Sequence, residues 1–443
     1  MCGGVAGRSC RRMDRVNFMN RNSKVKMIAA FSASCAFGLL HAQDAEKAFV
    51  KENMTFAAGQ YRLMLQTPAQ GKDGKGVMPH STRKDGTVSK ASVYMWTSGF
   101  FPGSLWYLSE YLGDKALQDS ALVYTRKMEP VKSFTDNHDI GFMMYCSYGN
   151  ANRFSPQRSY RDILVESARS LCTRYREKAG VIQSWNGFRS WHGDKVYDFP
   201  VIIDNMMNLE LLFYASRATG DPSFRDIAVS HARHTMMNQV RDDYSCFHIV
   251  YYDKETGKPI KGETSQGYSD NSAWSRGQAW GIYGFTMCYR ETKDPSFLTT
   301  AQRMADFYLD HPNLPSDKVA WWDFNANQPG YVPGVRSNAN NVVLNYRDAS
   351  AAACTASALL ELSTYSEGKL AKKYLEGAKA ILHSLGSPRY RAELGKNGNF
   401  ILMHSTGAIP QNGEIDVPLT YADYYFLEAL YRYDRILDGK PLF

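Results

Sequence analysis

The 443-residue sequence predicts an all-α fold made of six helical hairpins, and three observations support this prediction. Apolar residues recur with helical spacing in twelve segments that form six consecutive pairs. A helix–turn–helix signature is repeated, since Asp221-Pro-Ser-Phe224 returns as Asp294-Pro-Ser-Phe297 about two helices later. Strand signals are scarce. Six hairpins can close into a two-layer toroid around a central cavity, and an open solenoid is the alternative.

The predicted helices follow one another along the chain as amphipathic stretches between turns. In the repeated signature, Asp is the N-cap and Pro takes the first helical position, as helix starts favour. The helices are predicted over 45–66, 99–112, 115–128, 138–149, 158–177, 203–219, 222–239, 270–291, 295–310, 346–366, 369–384 and 418–437. One hairpin arm is predicted over 247–252, followed by a turn over 254–257. The long loops, expected to form a site at one end of the toroid, are 68–95, 178–202, 240–269, 311–345 and 386–417.

The first 42 residues are predicted to be a leader with a secretory signal peptide, followed by one helical domain over 43–443. A basic stretch over 21–26 precedes an apolar run over 27–40, which is too short to span a bilayer. Export is therefore predicted, with the periplasm as the expected compartment. A lipoprotein anchored at Cys35 is the less favoured alternative, because the residues before it form a poor lipobox.

Composition excludes several classes of function. The formal net charge of +8 arises mostly in the leader, and no basic stripe interleaved with aromatic residues indicates nucleic-acid binding. No later segment is apolar enough for a membrane span. Neither a nucleotide-binding loop nor a metal-ligand cluster is found, so no cofactor or metal is expected. Five cysteines beyond the leader are isolated and are expected in the core: Cys146, Cys172, Cys246, Cys288 and Cys354.

Two aspartates in apolar settings are the leading candidates for chemistry. Asp139 precedes the apolar run 140–144, and Asp204 lies between Ile203 and an apolar helix. A carboxyl kept in apolar surroundings has a raised pKa and can hold a proton near neutral pH. The pair therefore predicts acid/base chemistry. The structural alternative is that each aspartate caps a helix, and His138 is also typical of a hydrogen-bonded structural histidine.

The densest polar and aromatic stretch runs over 266–285. In its predicted helix, Arg276 and Trp280 are four residues apart and share a face. A guanidinium beside an indole suits a ligand with a flat apolar face and a carboxylate or sulfate. The high aromatic content, 13%, agrees with a cleft whose rings stack on sugars, although a large aromatic core explains it equally well. For Arg276 and Trp280, a buried stack inside the core is likewise the alternative.

Four segments together resemble the unsaturated glucuronyl hydrolases, glycoside hydrolase family 88. They are Asn137-His-Asp-Ile-Gly-Phe142, Ile202-Ile-Asp-Asn-Met-Met-Asn-Leu209, the stretch 266–285, and 415–418 with 421–428, in order along the chain. The resemblance implies one (α/α)6 barrel with its site at the open end. It also implies a substrate: an oligosaccharide left by a polysaccharide lyase, with an unsaturated uronate at its non-reducing end.

The resemblance assigns roles to single residues. Asp139 and Asp204 are the implied catalytic pair. The implied substrate-binding residues are Trp96, Trp185, His248, Gln266, Arg276 and Trp280, and His138 is counted with them. Trp191 competes with Trp185, because the loop before Asp204 varies in length. Ser272 stands where some relatives place a second arginine, so the preference for a leaving sugar is left open.

The implied reaction is hydration of the C4–C5 enol ether of the uronate. Asp204 is expected to protonate C4 and to take a proton from the attacking water. Asp139 is expected to be ionised, to orient the sugar hydroxyls and to raise the pKa of Asp204. The loop 404–413 is expected at the barrel mouth, in contact with the leaving sugar.

Three other functions compete with this interpretation. An unsaturated rhamnogalacturonyl hydrolase would run the same chemistry on pectin fragments. A non-catalytic glycan-binding protein would bind saccharides without consuming the double bond. A sugar epimerase on a similar toroid would use histidine bases, and His138 and His248 do not form a convincing pair for that role.

Overall fold

The computed structural model describes residues 43–67 and 76–443. The chain divides into a first unit, 1–52, of which 43–52 are described and helical, and a second unit, 53–443, which contains the helical ring. The helices of the second unit are α1 (53–66), α2 (Phe100–Leu112), α3 (Lys115–Lys127), α4 (Ile140–Met144), α5 (Asn150–Phe154), α6 (Arg158–Cys172), α7 (Leu209–Thr219), α8 (Pro222–Asn238), α9 (Ser275–Thr292), α10 (Pro295–Asp310), α11 (Ala349–Tyr365), α12 (Gly368–Leu385) and α13 (Thr420–Leu437).

Six helical segments form an inner ring: α2, the composite α4–α5, α7, α9, α11 and α13. Each packs on the next, and α13 packs on α2, which closes the ring. Helices α9, α11 and α13 are buried all round over most of their length, as helices with neighbours on every side must be. The predicted closed toroid is therefore confirmed, and the open solenoid is wrong.

The outer helices pair with the inner ones as the sequence predicts. Helices α3, α6, α8, α10 and α12 each pack on inner neighbours, and Tyr61 of α1 stacks on Phe101 of α2 with ring centroids 5.4 Å apart. The repeated signature forms the expected caps. Asp221 accepts a hydrogen bond from the backbone N–H of Ser223, and Asp294 from that of Ser296, both over 2.9 Å.

Two inner segments depart from the predicted single helices. The segment predicted over 138–149 continues to 154 through a π-helical turn at Tyr145–Gly149. The segment predicted over 203–219 begins as a 3-10 helix, Ile203–Asn208, before α7. Irregular turns of this kind are frequent at functional sites, where they redirect side chains.

Short antiparallel strands and 3-10 turns lie between the helices. The strands are β1 (Met78–Thr82), β2 (Val88–Ala91), β3 (Tyr175–Arg176), β4 (Val181–Ile182), β5 (Phe188–Arg189), β6 (Val196–Tyr197), β7 (Pro200–Ile202), β8 (Ile249–Tyr252) and β9 (Pro259–Glu263). The other 3-10 helices are Glu129–Ser133, Asn338–Asn341, Asn397–Asn399 and Ile409–Gln411. Strand β8 confirms the predicted hairpin arm, and it joins β7 and β9 in the order β7-β8-β9.

The long loops gather at one end of the ring, as the sequence predicts. Ser81 donates to the carbonyl of Pro418 over 2.7 Å, the Trp191 indole donates to the carbonyl of Ser265 over 2.9 Å, and Asn338 contacts the 404–413 loop. The inner helices all begin at this end. Their N-termini, each carrying a partial positive charge, therefore surround one cleft and favour an anionic ligand.

The leader assigned to residues 1–42 lies outside the described residues. Within the described ranges, no helix is long and apolar enough to cross a membrane. The five cysteines beyond the leader are free, and all except the half-buried Cys172 are buried, which agrees with the predicted core role.

Candidate active site

The local fold around Asp204 brings it against His248. Strand β7 pairs with β8 so that Ile202 faces Ile249, and the backbone N–H of Ile203 donates to the carbonyl of His248 over 3.0 Å. The Asp204 side chain then lies with Oδ2 3.6 Å from Nε2 of His248. Asp204 does not cap the helix that it begins, so the capping alternative is wrong for this residue.

Asp139 is held in the same cleft by the segment that follows Asp204. Asn208 accepts a hydrogen bond from the backbone N–H of Phe142 over 2.7 Å, at the start of α4. Gly141 permits this approach, because a Cβ there would lie 2.5 Å from the Cα of Asn208. The Asp139 side chain makes no capping bond, and its Oδ1 lies 3.3 Å from Nε2 of the buried His138. The capping alternative is wrong for Asp139 as well.

Both carboxyls are buried and share a site. Their side chains are only 12% and 11% exposed for Asp139 and Asp204, which leaves a narrow opening toward the cleft. Burial raises the pKa of Asp139 to about 8, and the charge of Asp204 adds to this shift. Burial also raises the pKa of Asp204 to about 7, while the positive charge of Arg276 and the indole N–H of Trp280 lower it. The two carboxyls therefore share a proton near neutral pH.

The expectation that Asp139 is ionised beside a protonated Asp204 stays a prediction, because burial raises the pKa of both carboxyls. Both carboxyls are candidates to hold the proton.

The two histidines of the site are neutral donors. Burial holds the pKa of His248 well below its usual value and lowers that of His138 to about 3. Nδ1 of His248 accepts hydrogen bonds from the backbone N–H groups of Ser265 and Gln266, each over 3.0 Å. The proton of the neutral ring is therefore on Nε2, which faces Asp204.

The cleft collects buried polar atoms that have no hydrogen-bond partner among residues 43–67 and 76–443. Groups of this kind are rare in folded proteins and mark places where a ligand or an ordered water supplies the missing bond. They are His138 Nε2, Asp204 Oδ2, His248 Nε2, Trp274 Nε1, Trp280 Nε1 and Tyr421 Oη.

Aromatic rings form the walls around the carboxyls. Phe142 links Trp96 to Trp280, with ring centroids 5.6 and 5.3 Å apart. Trp185 is half-buried and lies edge-on to His248, with 6.4 Å between the ring centroids. The indole N–H of Trp191, in contrast, donates a hydrogen bond to the carbonyl of Ser265. The placement of Trp185 thus favours it over Trp191 as the substrate-binding residue, and this role stays a prediction.

Arg276 and Gln266 approach the site in different ways. The Arg276 guanidinium donates to the Asp348 carboxylate over 2.7 Å and to the carbonyls of Thr406 and Gly407 over 2.6 Å each. Its predicted contact with substrate stays a prediction, since these nitrogens have protein partners. Gln266 is half-buried and contacts His248 through its backbone N–H, so its predicted side-chain contact with substrate stays a prediction.

Sequence reasoning missed two residues that complete the site. Asn208 ties the Asp139 segment to the Asp204 segment, and Tyr421 packs its ring 4.8 Å from Trp96 and 5.3 Å from the Arg276 guanidinium. Both lie within the segments that carry the family resemblance. Their side chains look like ordinary core residues in sequence, because only the folded ring brings them to the carboxyls.

One group of side chains has the spacing of metal ligands among the described residues. The ligand atoms of His192, Glu263 and Asp270 lie within 4.8 Å of one another. Lys261 forms an ion pair with Glu263, and Tyr251 donates to the same carboxylate over 2.8 Å. The carboxylate already has cationic and hydroxyl partners, so this group is better described as a polar network.

Comparisons with known proteins agree on one family. A family model described as Glycosyl Hydrolase Family 88 matches residues 72–435. The chain is 46% identical over 351 residues to an unsaturated glucuronyl hydrolase of Formosa agariphila, covering 79% of this chain and 82% of the relative. It is 34% identical to an unsaturated chondroitin disaccharide hydrolase of Streptococcus pyogenes, covering 82% and 86%.

Solved structures give the same result. The fold superposes with a TM-score of 0.79 on an unsaturated glucuronyl hydrolase specific for heparin, at 43% identity, covering 88% of this chain and 98% of the other. The TM-score is 0.75 at 30% identity for the unsaturated glucuronyl hydrolase of Bacillus sp. GL1, covering 88% and 97%.

Proposed function

The chain belongs to glycosyl hydrolase family 88 and is a glycoside hydrolase, and on this premise we propose that it releases the 4,5-unsaturated uronate from the non-reducing end of glycosaminoglycan oligosaccharides. One observation carries the proposal beyond family membership. Two buried carboxyls with raised pKa values lie in one cleft among neutral donors that have no protein partner. This arrangement suits a proton transfer to a substrate that completes the missing hydrogen bonds.

The substrate has chemistry that matches a single proton donor. Its C4–C5 double bond is conjugated to the uronate carboxylate and joined to the ring oxygen, so it is an enol ether. Protonation at C4 places positive charge on C5 and the ring oxygen. Water then adds at C5, and the hemiketal opens with loss of the leaving sugar. Carboxylates flanking the anomeric carbon, as ordinary glycosidases need, are not required.

Asp204 is the proposed acid. As a carboxylic acid it delivers its proton to C4, and as the resulting carboxylate it accepts a proton from the water that attacks C5. The acid is regenerated, and the sum of both steps is the addition of one water molecule. The Nε2–H of His248 and the indole N–H of Trp280 face this carboxyl and are placed to hold the water or a substrate oxygen.

Asp139 acts as the second carboxyl of the pair. Because its pKa is also raised, it competes for the shared proton and sets the pH range in which Asp204 is protonated. When ionised, it accepts hydrogen bonds from sugar hydroxyls. The aromatic walls formed by Trp96, Phe142 and Trp280 pack the flat unsaturated ring.

The loop 404–413 supports the proposal that the leaving sugar lies at the cleft mouth. The loop is joined to the cleft through Arg276, and Gln411 contacts Ser265 beside His248. Its Ser, Thr and Gln side chains are neutral donors, which suits a leaving sugar with or without sulfate.

The reaction is tested by the loss of ultraviolet absorbance of the conjugated double bond. Relatives are named for chondroitin disaccharides and for heparin, so unsaturated disaccharides from both are the first substrates. Hyaluronan and pectin-derived disaccharides complete the set. Loss of absorbance on the glycosaminoglycan products supports the proposal, and loss on the pectin product alone would replace it with a rhamnogalacturonyl activity. Saccharide binding without any loss of absorbance would make the protein a glycan-binding protein.

We also propose that the enzyme is exported. The basic stretch and apolar run of the leader support this, and lyase products imported into a periplasm would meet the enzyme there. Fractionation of cells that express the full chain, with amino-terminal sequencing of the product, tests it. A cytoplasmic product that keeps its leader would contradict the proposal.

A further inference from the structure

The loop over 404–417, called here the mouth loop, has an unusual backbone. Its two ends pair through Ser405 and Val417, and the Gly407 N–H donates to the carbonyl of Glu414 over 2.7 Å. Non-glycine residues with left-handed backbone angles recur in it: His404, Asn412, Glu414 and Asp416. Each such conformation costs roughly 1–3 kcal/mol and persists only where the surroundings hold it in place.

Arg276 binds the backbone of the mouth loop at its centre. From the second position of α9 its guanidinium donates to the carbonyls of Thr406 and Gly407, which are consecutive in the mouth loop. The same guanidinium is 1% exposed. A buried positive charge on carbonyl groups alone is unfavourable, so the arrangement depends on a negative partner.

Asp348 is that partner and joins three elements. Its Oδ2 accepts from Arg276 over 2.7 Å, and its Oδ1 accepts from the Ser350 N–H over 3.0 Å as the cap of α11. The Thr406 N–H approaches the same Oδ1 at 3.4 Å. The side chain is fully buried. Asp348 thus connects the start of α9, the start of α11 and the mouth loop.

We propose that Asp348 is a positioning residue for the reaction, which acts through Arg276 to fix the mouth loop as one wall of the leaving-sugar site. The inference rests on the proposed function, and it adds a residue that neither the motifs nor the mechanism uses. Asp348 does not meet the substrate. Its effect should therefore depend on what the leaving group is, and should leave the proton transfer at C4 largely intact.

A merely structural ion pair offers a matched control. At the rear end of the ring, opposite the cleft, Glu361 pairs with Arg290 over 2.9 Å and with Arg432 over 3.1 Å. Glu361 is 1% exposed and, like Asp348, holds buried guanidinium groups on inner helices. Asp348→Asn and Glu361→Gln remove the same kind of charge at opposite ends of the ring.

The experiment compares two unsaturated uronates, one with a full leaving sugar and one with a methyl group in its place. For Asp348→Asn, we expect KM for the disaccharide to rise about 10- to 100-fold, with kcat and the methyl glycoside much less affected. Hydrogen exchange in the mouth loop should quicken. Glu361→Gln should lower the melting temperature and leave both the substrate ratio and the exchange of the loop unchanged.

Several outcomes overturn the inference. Equal losses on both substrates, or an unchanged mouth loop in Asp348→Asn, would reduce Asp348 to a structural residue. If Asp348→Asn does not fold, Gly407→Ala is the second variant, because a methyl group there meets the side chain of Glu414 within the mouth loop and leaves Arg276 and Asp348 in place. An unchanged substrate ratio in that folded variant would also contradict the inference. A wild-type enzyme inactive on both substrates would instead refute the proposed function. Hydrogen exchange in the mouth loop would still test whether Asp348 fixes the loop through Arg276.

Discussion

The two ends of the helical ring contain similar residues and use them in opposite ways. Behind the cleft, toward the rear end, residues of the inner helices line a cavity of about 400 Å³, among them Glu210, Arg290 and Glu428. The charged groups at this end are joined to one another: Glu361 pairs with Arg290 and Arg432, and Glu428 accepts from Tyr107 over 2.9 Å. One buried nitrogen there, Nε of Arg432, has no hydrogen-bond partner in the described part of the chain.

At the cleft end, buried polar groups are left unpaired instead of being joined to one another. Asp204, His248 and Trp280 each keep a buried polar atom without a partner, and two carboxyls face each other's charge. A buried polar group left unpaired costs roughly 1–3 kcal/mol. The fold carries this cost at the end where a ligand can supply the bonds and avoids most of it at the other. The difference separates a functional polar cluster from a structural one.

The largest expected effect comes from Asp204→Asn. The variant removes the proposed acid, so kcat on an unsaturated disaccharide should fall about 10² to 10⁴-fold or more. Its folded state should remain as stable at pH 8, because the change removes a charge whose burial is unfavourable. Ultraviolet kinetics and thermal melts measure both. Turnover near the wild-type level would remove Asp204 from the mechanism.

The rear end should show the opposite pattern. Glu361→Gln leaves two buried guanidinium groups short of a charge and should cost about 3–5 kcal/mol of unfolding free energy. Turnover of the folded fraction should be unchanged at low temperature. Denaturant titration gives the first quantity and initial rates give the second. A large loss of turnover with normal stability would show that the rear network communicates with the cleft.

Much of the ring could be predicted from sequence, because its signals are local. Helical spacing and the Asp-Pro caps at Asp221 and Asp294 depend on neighbours within one turn. The strand β7 could not be found in this way. It is three residues long and exists because β8, far along the chain, pairs with it and carries His248 to Asp204.

The sequence pointed to the candidate carboxyls of the site but not to the residues that shift their pKa values. Asp139 and Asp204 stand out because carboxyls are unusual in apolar segments. The pKa of Asp204 depends on Arg276 and Trp280, which belong to α9, far along the chain, and lower it. The sequence predicts that Arg276 binds the substrate, yet its guanidinium donates hydrogen bonds to Asp348 and to the mouth loop.

The pH profile tests the shared proton. Because the pKa values of the pair are raised to about 7 and 8, the protonated acid is present at lower pH and is lost as pH rises through this range. We expect kcat/KM to fall about tenfold per pH unit above it. Asp139→Asn removes a negative charge beside Asp204, so the pKa of Asp204 should fall. The alkaline limb of the variant's remaining activity should therefore move to lower pH. An activity that is level from pH 6 to 9 would contradict a carboxyl acid.

The smallest expected effect comes from removing a single N–H group at the cleft, in the variant Trp280→Phe. Trp280→Phe keeps most of the ring against Phe142 but removes the indole N–H that lowers the pKa of Asp204. The alkaline limb should therefore move to higher pH, and kcat should fall about tenfold. Trp106→Phe is the matched control, because its indole N–H bonds Thr125 over 3.0 Å away from the cleft. It should cost about 1 kcal/mol of stability and leave the pH profile in place. If both variants shift the profile equally, the indole N–H at the cleft has no special role.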